Sequence, residues 1–138
     1  GVASLRKVSV AFVNYVATRL VDANTSIGSF DFHGYGTGVA AEANTDTALG
    51  TELTTQYATD NVRPTGTPTN PSANVYQSVG TLSPDTGGTI AITEHSVFTQ
   101  AATGGGTSMD RSVFSAVNLV AGSDSLQSTY QLTLSAEA

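Results

Sequence analysis

The chain contains no cysteine. Disulfides, thiolate zinc sites, iron–sulfur clusters and cysteine nucleophiles are excluded together. Charge is scarce as well: charged residues make up 12% of the 138 positions, about half the ~25% share usual in soluble domains. Five are Lys or Arg and eleven are Asp or Glu, which leaves a net charge of -6. Five cations are too few to meet a run of phosphates, so nucleic-acid binding is not expected. No apolar run approaches the ~20 residues of a membrane helix. Val8 to Leu20 is the longest candidate, and Asn14, Thr18 and Arg19 interrupt it. It also lacks a clean apolar core before a small-residue cleavage site, and Leu5 breaks the myristoylation pattern. Neither a leader nor a membrane anchor is expected.

What the chain has instead is hydroxyl and glycine. Thr, Ser and Gly occur 21, 15 and 14 times and together fill 50 positions, beside 39% hydrophobic residues. That mixture reads as a β-rich body with a hydroxyl-bearing surface, neither disordered nor a coiled coil. The length suits one domain, and no linker or internal repeat divides it. Residues 1–138 are expected to form a single β-sandwich domain, with 1–24 helical and 25–138 β-rich.

Lys7 to Asp22 is the best helix candidate. Val8, Phe12, Val16 and Leu20 recur every four residues, and Val10 and Val13 broaden the stripe. Ser4 can cap its start and Asn24 its end. A strand over Val8–Val13 competes, because β-branched residues dominate there. A strand follows over Ser26–Tyr35, broken by Gly34-Tyr35-Gly36-Thr37-Gly38. Asn44 to Tyr57 predicts a short helical turn around Ala48, Leu49, Glu52 and Leu53. Arg63 to Pro71 is Pro- and Thr-rich, an extended edge or a loop.

Further on, strand signals come at regular spacing: Val75–Leu82, Thr89–Thr99, Ser112–Ala121 and Ser125–Ser135. Turns fall at Pro84–Gly88 and Gly122–Asp124, and Thr103–Thr107 is a Gly-rich tip. The fold class is therefore mainly β: an antiparallel, jelly-roll-like sandwich with one N-terminal helix and a short helical turn.

Few motifs suggest chemistry. Asp85-Thr86-Gly87 is the tripeptide of aspartic proteases, but Ser83-Pro84 before it and Gly88-Thr89 after it mark a hairpin turn. On a strand, His33 shares a face with Asp31, whereas Glu94 and His95 point to opposite sides. Two histidines without cysteine do not make a zinc site, and no Gly-x-Ser-x-Gly elbow presents a nucleophile. Gly34 to Gly38 has the glycine content of a phosphate loop without its Lys, so it reads as a plain turn. Asn24-Thr25-Ser26 reads as a helix-terminating turn. No enzyme activity, metal or cofactor is expected. Arg111, isolated in an acidic chain, is expected to pair with a carboxylate of its own chain or of a neighbouring subunit.

The stretches Ala91-Ile92-Thr93-Glu94-His95-Ser96-Val97-Phe98 and Met109-Asp110-Arg111-Ser112-Val113-Phe114-Ser115-Ala116-Val117-Asn118-Leu119 resemble virion structural proteins of tailed bacteriophages. Asp124 to Leu134, His33 to Gly38 and Thr47 to Glu52 continue the likeness, which spans most of residues 30–135. The resemblance implies a β-sandwich docked on a symmetric viral assembly, with no catalytic residue to carry over. It implies a capsid decoration (cement) protein on the head exterior, made in the host cytoplasm, with the major capsid protein as partner and a homotrimer as its state. A chain ending just past its last strand favours decoration over a fibre. A tail, neck or fibre-attachment component is the alternative, and a carbohydrate-binding sandwich, which needs exposed aromatics, is a further one. Arg6, Lys7, Arg19, Arg63 and Arg111 are the candidate partner contacts. Three of these lie in the first twenty residues, which points to Lys7–Asp22 and its basic flank as a docking segment.

Overall fold

The computed structural model of the protein describes residues 7–21 and 28–135. Its elements are β1 (Lys7–Val8), α1 (Val10–Val21), β2 (Phe32–Gly36), β3 (Thr67–Ser72), β4 (Val75–Leu82), β5 (Thr89–Phe98), β6 (Asp110–Val120) and β7 (Leu126–Thr133). They form two antiparallel sheets, ordered β1-β6-β5-β2 and β3-β4-β7. The mainly β, two-sheet sandwich with one N-terminal helix is as the sequence predicts. Seven strands are described, against the eight of a jelly roll, so the fold is stated at the level of the sandwich.

The expected helix forms, but its cap is not Ser4, which lies outside the described residues together with Arg6 and Asn24-Thr25-Ser26. Ser9 caps it: its Oγ accepts a hydrogen bond from the Phe12 N–H at 3.1 Å and donates to the Ser108 carbonyl at 2.9 Å. The two residues before the cap are extended, pairing Lys7 with Arg111 and Val8 with Asp110. The segment 44–57 differs from expectation. It holds a turn at 44–45 and isolated bridges at Glu52 and Tyr57 instead of a helical turn. Gly50 sits in its middle and weakens any helix there. Its apolar residues Leu49, Leu53 and Tyr57 are buried.

The later strands match the sequence closely. β4 runs over the predicted residues, and β5, β6 and β7 differ by one or two at their ends. Gly87, Gly88 and Gly122 adopt positive φ (106°, 68° and 79°) in the two expected turns. Arg63–Pro71 does supply an edge: β3 pairs only with β4 and is exposed along its whole length.

The core has two parts. Tyr35, Leu53, Tyr57, Leu82, Ile90, Ile92 and Leu119 form one cluster. Phe30, Val97, Met109 and Tyr130 form the other, against which Phe12 and Tyr15 of α1 pack. Phe30 meets both helix rings edge-on, at 5.3 and 5.4 Å between centroids. Those contacts fix which side of α1 faces the body.

Ser9→Ala removes the cap and leaves the Ser108 carbonyl without its donor. A loss of about 1–2 kcal/mol is expected, read as a lower urea midpoint at unchanged m-value. An unchanged midpoint would show that α1 is not held through this residue.

Candidate functional site

The groups that carry charge and proton chemistry gather on β5 and on what covers it. A register shift between Ile92 and Glu94, where β5 pairs with β6, marks a bulge. A bulge reverses the alternation of a strand. Ile90 and Ile92 therefore face the core before it, and His95 and Val97 face the core after it. Glu94, Ser96 and Phe98 turn to the other face of the sheet, where loops cover them.

Glu94 is fully buried. One of its carboxylate oxygens accepts the backbone N–H groups of Gly38 (3.0 Å) and Thr51 (2.7 Å). The other accepts the N–H of Gly50 (2.8 Å) and Nε of Arg111 (2.8 Å). Arg111 also reaches Asp46 at 3.1 Å, and Asp46 in turn accepts the N–H of Ala43 at 2.9 Å. Burial pushes the Glu94 carboxyl up, and the N–H groups of Thr51, Gly50 and Gly38 with Arg111 outweigh it. The carboxyl ends below its ordinary value. Burial likewise opposes the charge of Arg111, and Glu94 and Asp46 more than restore it.

The alternate glycines make room for this. Gly34, Gly36 and Gly38 stand two residues apart, on one face of an extended segment. A Cβ at Gly36 would lie 2.4 Å from both Glu94 Oε1 and the Thr51 carbonyl, and one at Gly34 would lie 2.5 Å from the Phe98 ring. The expected break at 34–38 is thus mostly strand: β2 continues to Gly36, and its glycines serve close approach, not a turn.

A second ion pair closes the neighbouring loops. Arg63 binds Glu52 through Nε and Nη2 and donates from Nη1 to the carbonyls of Gln100 and Gly105, both at 2.8 Å. Its guanidinium lies 3.5 Å above the Phe98 ring centroid. Glu52 also accepts the Gly104 N–H at 3.1 Å.

The histidines meet inside the sandwich. His33 Nδ1 lies 2.9 Å from His95 Nε2, and His33 Nε2 lies 2.8 Å from Ser78 Oγ. A Cβ on Gly80 or Gly66 would stand 2.4 or 2.5 Å from the His33 ring, so two glycines fix its slot. Burial lowers the His33 pKa to about 4. Tyr35 beside them is pushed up to about 12 by burial, against a hydrogen bond with Ser128.

Arg63 is corrected here as a partner contact, and Arg111 makes the own-chain pair that is one of its two expected alternatives. Arg63 and Arg111 are 1% and 3% exposed, and their own chain's carboxylates hold them. Intrachain carboxylates outcompete a partner because they avoid leaving a buried charge uncompensated. Arg19 lies beside Tyr15, 5.0 Å from its ring centroid. Arg6 and the Lys7 side chain lie outside the described residues. Asp85 is an exposed turn residue whose N–H bonds the Gln56 carbonyl. His33 is bound to His95 and Ser78, so the Asp31 pairing suggested by strand alternation is not the one formed. Among the described residues, no three His, Asp or Glu side chains converge to hold a metal ion. With both oxygens of Glu94 filled by four donors, its chemistry is that of a fixed anion.

No protein-family model, curated protein or solved structure matches this chain.

Glu94→Gln keeps the shape and removes the charge. Stability should fall by about 3–5 kcal/mol, the loss typical of breaking a buried pair. The urea midpoint reads it, and a loss under ~0.5 kcal/mol would show that the pair does not hold the loops.

The lowered pKa of His33 has a defined sign. Between pH 6.5 and about 4 the unfolded chain takes up a proton that folded His33 refuses. Its contribution is complete above pH 6.5 and falls by roughly 3 kcal/mol as the pH drops through that window. The depressed Glu94 carboxyl adds a further loss below its ordinary value of 4.5. Urea midpoints measured against pH should show the slope, and His33→Gln should flatten it above pH 4.5.

Proposed function

We propose that this chain is a virion structural protein of a tailed bacteriophage, a decoration protein that binds the outer head shell and stabilises it. One observation carries the reading. Four of the stretches that resemble such virion proteins, around residues 33–38, 47–52, 91–98 and 109–114, lie apart in sequence and meet around Glu94 and Arg111, while the last, 124–134, carries β7 in the other sheet. Most of the likeness thus falls on one physical unit. That unit fixes the covering loops to the sheet, and fixed loops suit a protein whose task is to present a surface.

The distribution of charge agrees with docking. Arg63 and Arg111 are spent inside, so any basic docking contact falls to the remaining Lys and Arg of the sequence, Arg6, Lys7 and Arg19. The carbohydrate-binding alternative fits less well. It requires exposed aromatic rings, and all ten Phe and Tyr side chains are buried or half-buried.

The test is to add purified protein to undecorated heads and measure bound copies per major shell subunit. Saturation at a fixed ratio to that subunit is expected, with affinity falling as salt rises. The double variant Arg6→Glu, Lys7→Glu should bind more weakly and lose most of the salt dependence. Absence of binding to heads, with a low copy number on tails, would move the protein to the tail or neck.

A further inference from the structure

We propose that the cleft between segment 57–65 and the end of β4 binds a primary alkylammonium group, the head of a lysine side chain or of a free diamine. The segment is tied down at both ends. Tyr57 bridges to Pro84, and its hydroxyl meets the backbone of Tyr35. Arg63 donates its backbone N–H to the Ala101 carbonyl at 2.9 Å, and the Pro64 carbonyl accepts the His33 N–H at 3.0 Å. Between these anchors residues 58–61 are exposed, and Thr59 and Asn61 hold positive φ of 70° and 58°. No other non-glycine residue among those described does so. For a β-branched threonine this region is sterically costly, and such strain persists only where the surroundings impose it. The two strained residues bracket Asp60.

The cleft measures about 370 Å³, a size found among small-molecule sites. Asp60 supplies its charge, and Thr59, Thr81 and Ser83 place exposed hydroxyls around it. Tyr57, Val62 and Leu82 add apolar surface. Among the described residues Asp60 forms no ion pair. Arg63 also lines the cleft, but its guanidinium is engaged by Glu52 and by the carbonyls of Gln100 and Gly105. The carboxylate of Asp60 is therefore the uncompensated charge of the cleft.

That inventory selects the ligand. An anion is repelled by Asp60. A hard divalent cation takes six or more oxygen ligands, usually with several carboxylates, and no three acidic or histidine side chains converge among the described residues. A sugar ring gains most from an open aromatic face, and Tyr57 is 1% exposed. An alkylammonium uses every part of the wall. Its charge meets Asp60, its three N–H groups meet the carboxylate and the hydroxyls, and its methylene stem covers the apolar surface. The strain has a use here: a carboxylate already held at the cleft does not have to be ordered when the ligand arrives.

The inference does not depend on the shell reading, because the protein alone is tested. The isotope-labelled full chain is titrated at low ionic strength with Nα-acetyl-lysine methylamide and, separately, with putrescine, and followed by NMR. Saturable shift changes confined to residues 57–65 and 81–83 are expected, with a millimolar Kd that weakens as salt rises. Tighter binding of the lysine compound assigns the cleft to a protein side chain, and tighter binding of putrescine assigns it to a free diamine. Asp60→Asn, at an exposed site, should keep the urea midpoint and raise Kd about tenfold or more. Asp85→Asn, exposed but outside the cleft, should leave Kd unchanged. The proposal is overturned if neither amine gives saturable shifts, or if the shifts fall on other acidic sites. It is equally overturned if Asp60→Asn binds like the wild type, or if the cleft responds as strongly to the norleucine analogue or only to a monosaccharide.

Discussion

The carboxylate of Glu94 is the constraint around which the covered face of the larger sheet is arranged. A buried charge is tolerable only when its lone pairs are met, and here four donors from three chain segments meet them. Each donor dictates something else. Receiving the N–H groups of Gly38, Gly50 and Thr51 requires backbone, not side chain, to approach the carboxylate, hence the glycines at 36 and 38. Receiving Arg111 requires β6 to keep its register against β5. The bulge after Ile92 is what allows a charged residue to follow two core isoleucines without entering the core. A one-residue slip would place Glu94 among Tyr35 and Leu119, so the charge disfavours the wrong pairing as much as it supports the right one.

The histidine pair does related work on the opposite face. It lies between the two apolar clusters, where a ring held by Ser78 and another histidine can fit in only one orientation. Polar groups with strict directional needs thus divide the interior into compartments, which apolar packing alone would leave interchangeable. The resulting sandwich has its shape specified at two layers, one per face of β5.

Much of this was legible in the sequence, and unevenly so. Strands β4 to β7 announce themselves because alternation and Gly- or Pro-marked turns are local signals. The helix is legible for the same reason, while its cap is not: Ser9 is chosen over Ser4 because its hydroxyl also reaches Ser108, ninety-nine residues away. Gly34 to Gly38 reads as a turn by composition. The clue to a strand was the spacing of two, which places all three glycines on one face. Arg111 reads as a cation needing a carboxylate, and the sequence leaves open which one; Arg63 reads as a surface cation, since nothing within a few residues of it indicates Glu52. Asn44 to Tyr57 is shaped by contacts with β2 and β5, and local helix preference loses to them.

The edge strand β3 has a consequence for how the protein behaves in crowded solution. Sheet edges invite stacking of one molecule on another, and most proteins deter this with charge. Residues 67–72 carry none. Pro68 and Pro71 stand there instead and supply no N–H to an incoming strand. The deterrent is steric and covalent, so it does not weaken as ionic strength rises. The deterrent on this edge therefore persists in high salt, where a charge-based one is screened.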